Sequence, residues 1–422
     1  MNTLTVIFLL FLITSIGVQF WLLTRQKKFV QTHQQTVPIA FVEKITLHDH
    51  QTAAAYTLSK TNFAQKTLII EALILLIWTL GGLLDTLNQF WQAQPWPPLW
   101  IEVATLLSVI LLSSLFDLPA NLYSTFRIEA QFGFNRTTFP LFLTDLFKSF
   151  ALLLLIGTPL ITLILWLIGP LTELPPFWWL QVWGIWIGFS LLMMWIYPNF
   201  IAPLFNQFKP LENENLKNRI DNLLQRNGFS NQGIFVMDGS KRSGHGNAYF
   251  TGLGNHKRIV FFDTLLDTLT PEEIEAVLAH EVGHFKHQHI KKRLVLAGLI
   301  TLLGLALLGW LIEQSWFYTG LGITQPSTAT ALILFMLIAP TFTFFLSPVM
   351  AWLSRTHEFE ADTFAAQQTD GKALIQALVK LYKENANTLT PDPLYSAFYD
   401  SHPPAPVRIA HLSNISGLSE TT

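Results

Sequence analysis

The sequence predicts a mainly α, polytopic membrane protein with seven transmembrane helices and a small cytoplasmic α+β domain. Three observations carry that expectation. Half of the 422 residues are hydrophobic and only 13% are charged, which is too little charge for an ordinary soluble domain. Seven apolar runs, at roughly 4–23, 68–87, 101–118, 149–169, 178–198, 294–313 and 328–350, are close to the roughly 20 residues that cross a bilayer as a helix. The third is the distribution of charge. If the gaps between runs are assigned alternately to two sides, segments 1–3, 88–100, 170–177 and 314–327 hold no lysine or arginine. All 26 basic residues then fall in 24–67, 119–148, 199–293 and 351–422. The positive-inside rule makes that second set cytoplasmic, with the N-terminus outside and the C-terminus in the cytoplasm.

The first run has no basic residue before it, and Arg25, Lys27 and Lys28 follow it, so it reads as a retained anchor. Residues 1–198 thus comprise five spans with their loops. The outer connections "WQAQPWPPLW" and "ELPPFWW" have the tryptophan and proline of an interfacial belt. Residues 199–293 change rhythm: an amphipathic helix near 211–227 precedes "GIFVMDG", "GNAYFTGLG" and "KRIVFFDTLL", which read as short strands between turns. Residues 294–350 supply two more spans, and 351–422 a helix over about 351–385 with a proline-bearing tail. Glu71, Glu102 and Asp117 fall near span ends and read as interfacial. A net charge of −2 and the absence of any arginine-rich or aromatic RNA-binding pattern exclude nucleic-acid partners. The chain has no cysteine, so any metal must be held by histidine and carboxylate.

The chemistry is concentrated in "LTPEEIEAVLAHEVGHFKH". Thr270 is an N-cap, Pro271 takes the first helical position and Glu273 completes a capping box, which predicts a helix from 271 to about 290. His280 and His284 are i and i+4 on it, so their imidazoles project from one face about a turn apart. With Glu281 beside them they form H-E-x-x-H, in which two neutral imidazoles bind Zn2+ and the glutamate takes a proton from the bound water. Such a short pattern also arises by chance on an amphipathic helix. The explicit helix start, the membrane boundary and Gly283 favour the metal reading. His287 and His289 read as solvated helix-end residues. Catalytic zinc needs a third protein ligand, and the best donor lies in "SRTHEFEAD" (354–362) after the seventh run. There Glu358, Glu360 and His357 compete, with helical spacing favouring Glu358. Glu360 points roughly opposite, and Asp362, at i+4 from Glu358, is placed to orient a ligating histidine.

"HEVGH" on a capped helix, a transmembrane hairpin and then "SRTHEFEAD" resemble the CAAX prenyl protease type I family, integral membrane zinc endopeptidases of the gluzincin group. "FRIEAQFGFNRTT" (126–138), "IAPLFNQFKPL" (201–211), "GSKRSGHGNAYFTG" (239–252) and "SHPPAPVRI" (401–409) extend the likeness over nearly the whole chain. The resemblance implies a zincin-like metalloprotease domain and seven helices around a hydrated chamber. It implies one Zn2+ held by His280, His284 and Glu358, with Glu281 catalytic and Asp362 behind the ligands. Asn247 is expected beside an extended peptide paired to an edge strand, and His402 and Arg408 at the substrate carbonyl or the transition state. Implied partners are the bilayer and a peptide or protein substrate, prenylated by family or, in a bacterial inner membrane, a quality-control substrate. The bacterial membrane is preferred over the endoplasmic reticulum on short loops. The competing class is a non-catalytic scaffold or transporter with a structural zinc site.

Overall fold

The computed structural model describes residues 2–251 and 256–417. Among the described residues, seven helices are long and apolar enough to cross a membrane: Thr3–His33, Leu47–Trp78, Pro98–Glu129, Phe139–Ile168, Trp178–Phe205, His289–Leu311 and Thr328–Gln368. Most are longer than their apolar runs. The 32 residues of Leu47–Trp78 rise about 48 Å, against roughly 30 Å of hydrocarbon, so polar turns project beyond it. A shared core joins the spans through Phe8, Trp78, Val103, Ile168, Leu308 and Leu334.

The second span differs from the expected 68–87. Its helix ends at Trp78, Gly82 takes φ +78°, and Leu83–Gln92 forms a separate short helix. The apolar run is continuous across this break because hydropathy does not register a left-handed residue. The short helix grips the turn between the last two spans. Asp85 accepts from the backbone N–H and hydroxyl of Thr324, and Asn88 donates to the Gln325 carbonyl. Glu102 is turned inward to the N-terminus of Thr328–Thr343, where it accepts from Ala329 N at 2.5 Å, as a carboxylate does at a helix start.

A small sheet follows the fifth span: β1 (Phe208–Pro210), β2 (Ser230–Met237), β3 (Ala248–Thr251) and β4 (His256–Phe262), in the order β1-β2-β4-β3. β2 and β4 are parallel and the other pairs antiparallel, and the order puts β3 at one edge of the sheet among the described residues. Residues 252–254 of the expected "GNAYFTGLG" strand, and 418–422 of the tail, lie outside the described residues. Ile259 and Phe261 of β4 pack with Ile220 and Leu223 of helix Glu214–Arg226 and with Leu278 and Ala279 of the motif helix. Hydrophobic burial thereby fixes the motif helix on the sheet.

Two helices are shorter than expected. The motif helix, Pro271–Lys286, stops before Gln288, whose φ of +56° redirects the chain into the sixth span. The helix expected over 351–385 is two, Ser347–Gln368 and Gly371–Glu384, with Asp370 capping the second. The tail forms Pro393–Tyr399 and Ala405–Ile415 and is tied to the first span, where Arg25 pairs with both oxygens of Asp392 at 3.2 and 2.9 Å.

Candidate metal centre

The capping box on Thr270 and Glu273 forms as expected and starts the helix that carries His280, Glu281 and His284. Gly283 faces helix Ser347–Gln368 so closely that an added Cβ would lie 3.0 Å from the Ala361 Cα. This close approach brings Glu358 to the two histidines. The Nε2 atoms of His280 and His284 are 3.2 Å apart, and the Glu358 oxygens lie 3.3 and 3.4 Å from them. Among the described residues, these three form the one group of histidines and carboxylates whose ligand atoms all lie within 4.8 Å of one another.

The donors suit a cation. Asp362 Oδ1 lies 2.8 Å from His280 Nδ1 and accepts its proton, so the His280 Nε2 lone pair faces its neighbours. Glu358 is 2% exposed, and its Oε2 receives no aligned hydrogen bond. A buried carboxylate oxygen without a donor, beside two converging imidazole nitrogens, is costly unless positive charge sits among them. Without a metal that charge is a proton. Burial disfavours the imidazolium at His280, but the Asp362 and Glu358 carboxylates outweigh it and push the ring up to about 9. Burial, with His280 beside it, pushes His284 down to about 3. Two nitrogens, one carboxylate and an open side fit a catalytic zinc.

Glu281 lines a cavity of about 610 Å³ with His280, Asn247, His402 and Lys60. Burial, opposed by His280 and reinforced by Glu358, raises its carboxyl above the ordinary range, which suits a group that must take up and release a proton. His402 comes from the tail loop, and its Nε2 is 3.5 Å from Glu358 Oε2. Desolvation at the cavity wall lowers its pKa, against the pull of Glu358. Arg408 is 6% exposed and grips Asp362 through Nε and Nη2 at 2.8 and 2.5 Å. Its Nη2 also lies 3.3 Å from His280 Nδ1. Asn247 is exposed at the head of β3 and also lines the cavity.

The chain is similar to known proteins along its length. The family profile "CAAX prenyl protease N-terminal, five membrane helices" matches residues 26–207, and "Peptidase family M48" matches 210–416. The chain belongs to the CAAX prenyl protease family of M48 metallopeptidases. "CAAX prenyl protease 1" of Saccharomyces cerevisiae is 40% identical over 326 residues, covering 72% of this chain and 70% of that protein. "CAAX prenyl protease 1 homolog" of Oryza sativa is 34% identical over 399 residues, covering 91% and 92%. The crystal structure of Ste24p from S. mikatae superposes with a TM-score of 0.90 at 32% identity, over 98% of this chain and 99% of that one. This M48 peptidase is therefore a multi-pass membrane metalloprotease.

The motifs that carry the likeness also meet in space. Asn135 bridges Ser243, Gly244 N donates to the Phe134 carbonyl, and Arg242 holds both oxygens of Asp145 at 2.8 and 3.0 Å. Glu129 accepts from the Tyr56 hydroxyl at 2.6 Å and faces His245 at 3.4 Å. These contacts lock the membrane helices to the loop leading into Asn247. Three residues support the site in ways that the sequence alone did not indicate. Arg355, three residues before Glu358, donates to the carbonyls of Ser396, Ala397 and Asp400 and so holds the His402 loop. Its position within "SRTHEFEAD" was the available signal. The others are His289 and Glu360, paired at 2.7 Å. His287 is exposed as expected, but His289 is 1% exposed, because Gln288 turns it back under His284. Glu360 turns toward the site to meet it.

Proposed function

We propose that this metalloprotease is a zinc endopeptidase that cleaves an extended peptide entering the cavity, with one Zn2+ held by His280, His284 and Glu358. The observation that carries the reading is the convergence of those three residues around a buried, undonated carboxylate oxygen. When bound, zinc supplies an acidified water and polarises the scissile carbonyl. Glu281 takes the proton from the attacking water and delivers it to the leaving amine. His402 donates to the oxygen on which negative charge develops. Arg408 keeps Asp362 ionised behind His280, with its outer edge toward the substrate. The substrate backbone adds to the outer edge of β3, and Asn247 holds it at the near end. The printed names of the relatives point to a C-terminal prenylated peptide; an unlipidated membrane-protein substrate is the alternative within this chemistry. The zinc site lies on the cytoplasmic side, since the connections 79–97, 169–177 and 312–327 between the observed spans contain no lysine or arginine.

The test is cleavage of matched prenylated and unprenylated peptides by purified protein before and after 1,10-phenanthroline. Chelation abolishes cleavage and Zn2+ restores it. Glu281→Gln keeps full metal stoichiometry but loses about 10²–10⁴-fold in turnover. Full turnover by a metal-replete Glu281→Gln enzyme removes the mechanism, and full zinc occupancy with no cleavage of any peptide favours a scaffold.

A further inference from the structure

A zinc-ligating imidazole must present a bare nitrogen, so something has to hold its proton on the other ring atom. For His280 that partner is Asp362. Among the described residues no carboxylate stands against the His284 Nδ1; that atom lies 2.9 Å from the Nδ1 of His289. Two Nδ1 atoms at this distance share one hydrogen, and which ring supplies it follows from the far side of His289. There His289 Nε2 lies 2.7 Å from Glu360 Oε2. A carboxylate only accepts, so the His289 proton is on Nε2, its Nδ1 carries a lone pair, and His284 donates from Nδ1. The Nε2 of His284 is then bare, and it is the atom that faces His280 Nε2 and Glu358. The reverse arrangement would point an N–H into the ligand cluster and exclude a cation.

We infer that Glu360 and His289 form a positioning relay that fixes the tautomer and ring orientation of His284 for metal binding. This deepens the zinc reading and rests on it. The relay is built into the fold in three ways. Gln288, left-handed at φ +56°, makes the turn that brings His289 beneath His284. The ring plane of His289 is set by stacking, with His357 parallel at 4.1 Å and 13° and His287 at 5.6 Å and 14°. Glu360 sits two residues after Glu358 on the same helix, so a single rigid element carries both a ligand and the anchor of the relay. A buried histidine that merely filled space would need neither the carboxylate nor a particular ring atom toward His284. These residues are not a second metal site: among the described residues no other group of histidines and carboxylates converges as His280, His284 and Glu358 do.

The experiment is Zn2+ affinity of the full-length protein in detergent, measured by competition with a chromophoric chelator, with thermal unfolding of the metal-free form alongside. His289→Leu removes the acceptor and weakens Zn2+ binding about 10–100-fold. His289→Asn, whose side-chain carbonyl takes the His284 proton, stays within about threefold of wild type. Glu360→Ala, at a side chain 41% exposed, leaves the fold intact and weakens binding by about three- to tenfold. Wild-type affinity in both Glu360→Ala and His289→Leu overturns the relay, and so does an Asn variant as weak as Leu, since packing alone would explain it. If His289→Leu does not fold, Glu360→Ala decides. His284→Ala separates the two readings. Wild-type zinc affinity there removes the ligand set itself. Loss of zinc there without loss in the relay variants removes the relay alone.

Discussion

Arg355 and Glu358 stand one helical turn apart, and the loop that Arg355 holds by three carbonyls brings His402 to within 3.5 Å of the Glu358 carboxylate. The cavity wall is thus anchored by the same helix that carries the carboxylate of the candidate metal set. His402→Ala is expected to lower kcat/KM about 10²-fold. Arg355→Ala should lose part of that, and the double variant should be no worse than His402→Ala alone. Fully additive losses would mean that Arg355 acts elsewhere.

The Asp362–Arg408 ion pair is deeply buried beside the site, with side chains 0% and 8% exposed. Asp362→Ala leaves the guanidinium buried without its counter-charge, and should destabilise the protein by about 3–5 kcal/mol. It should also weaken zinc binding about 10–100-fold through His280. Replacing both, as Asp362→Asn with Arg408→Met, should recover much of the stability but not the zinc affinity. Thermal unfolding read beside chelator competition distinguishes the two effects.

Gly283→Ala tests how closely the two ligand-bearing helices must approach. The new methyl meets backbone at Ala361, which has no rotamer with which to yield. Overpacking of this kind costs about 1–3 kcal/mol. The displacement pushes apart the helices that carry His284 and Glu358, so zinc affinity should fall even where the protein remains folded. Unchanged affinity would show that helix Ser347–Gln368 shifts as a whole without moving Glu358.

In metal-free protein, the His280 ring is raised from 6.5 to about 9. Its contribution to stability is therefore fully present below about 6.5 and lost as the pH climbs through about 9. Zinc needs the bare nitrogen, so between those values uptake expels the proton. Titrating Zn2+ into metal-free protein at pH 7.5 in weak buffer should release about one proton per ion, and apparent affinity should strengthen with pH up to about 9. Release near zero would mean that the ring is already neutral.

The sequence makes legible those features whose cause is local. Helical spacing is enough to put His280 and His284 on one face, and the Thr270 cap is enough to start their helix. Seven spans emerge because apolar length and basic charge are counted along the chain. Glu358 is different: spacing on its own helix only favoured it over Glu360 and His357, and it is the return of the last two spans that brings it to the histidines. The second span is misplaced because the turn at Gly82 lies inside an unbroken apolar run. His289 is misread because nothing in its neighbours announces a left-handed glutamine, and that one torsion separates a solvated helix end from a buried ring.

On the proposed ligand set, the hairpin of the sixth and seventh spans also dictates the order in which the enzyme can come to life. Two imidazoles are synthesised before that hairpin and the carboxylate after it, so a chain still emerging from the ribosome, or one threaded with the wrong number of crossings, holds an unfinished set. Biogenesis is then its own safety catch: no fragment ending before the last crossing can become a stray protease, and activity requires that both crossings of the hairpin have been made.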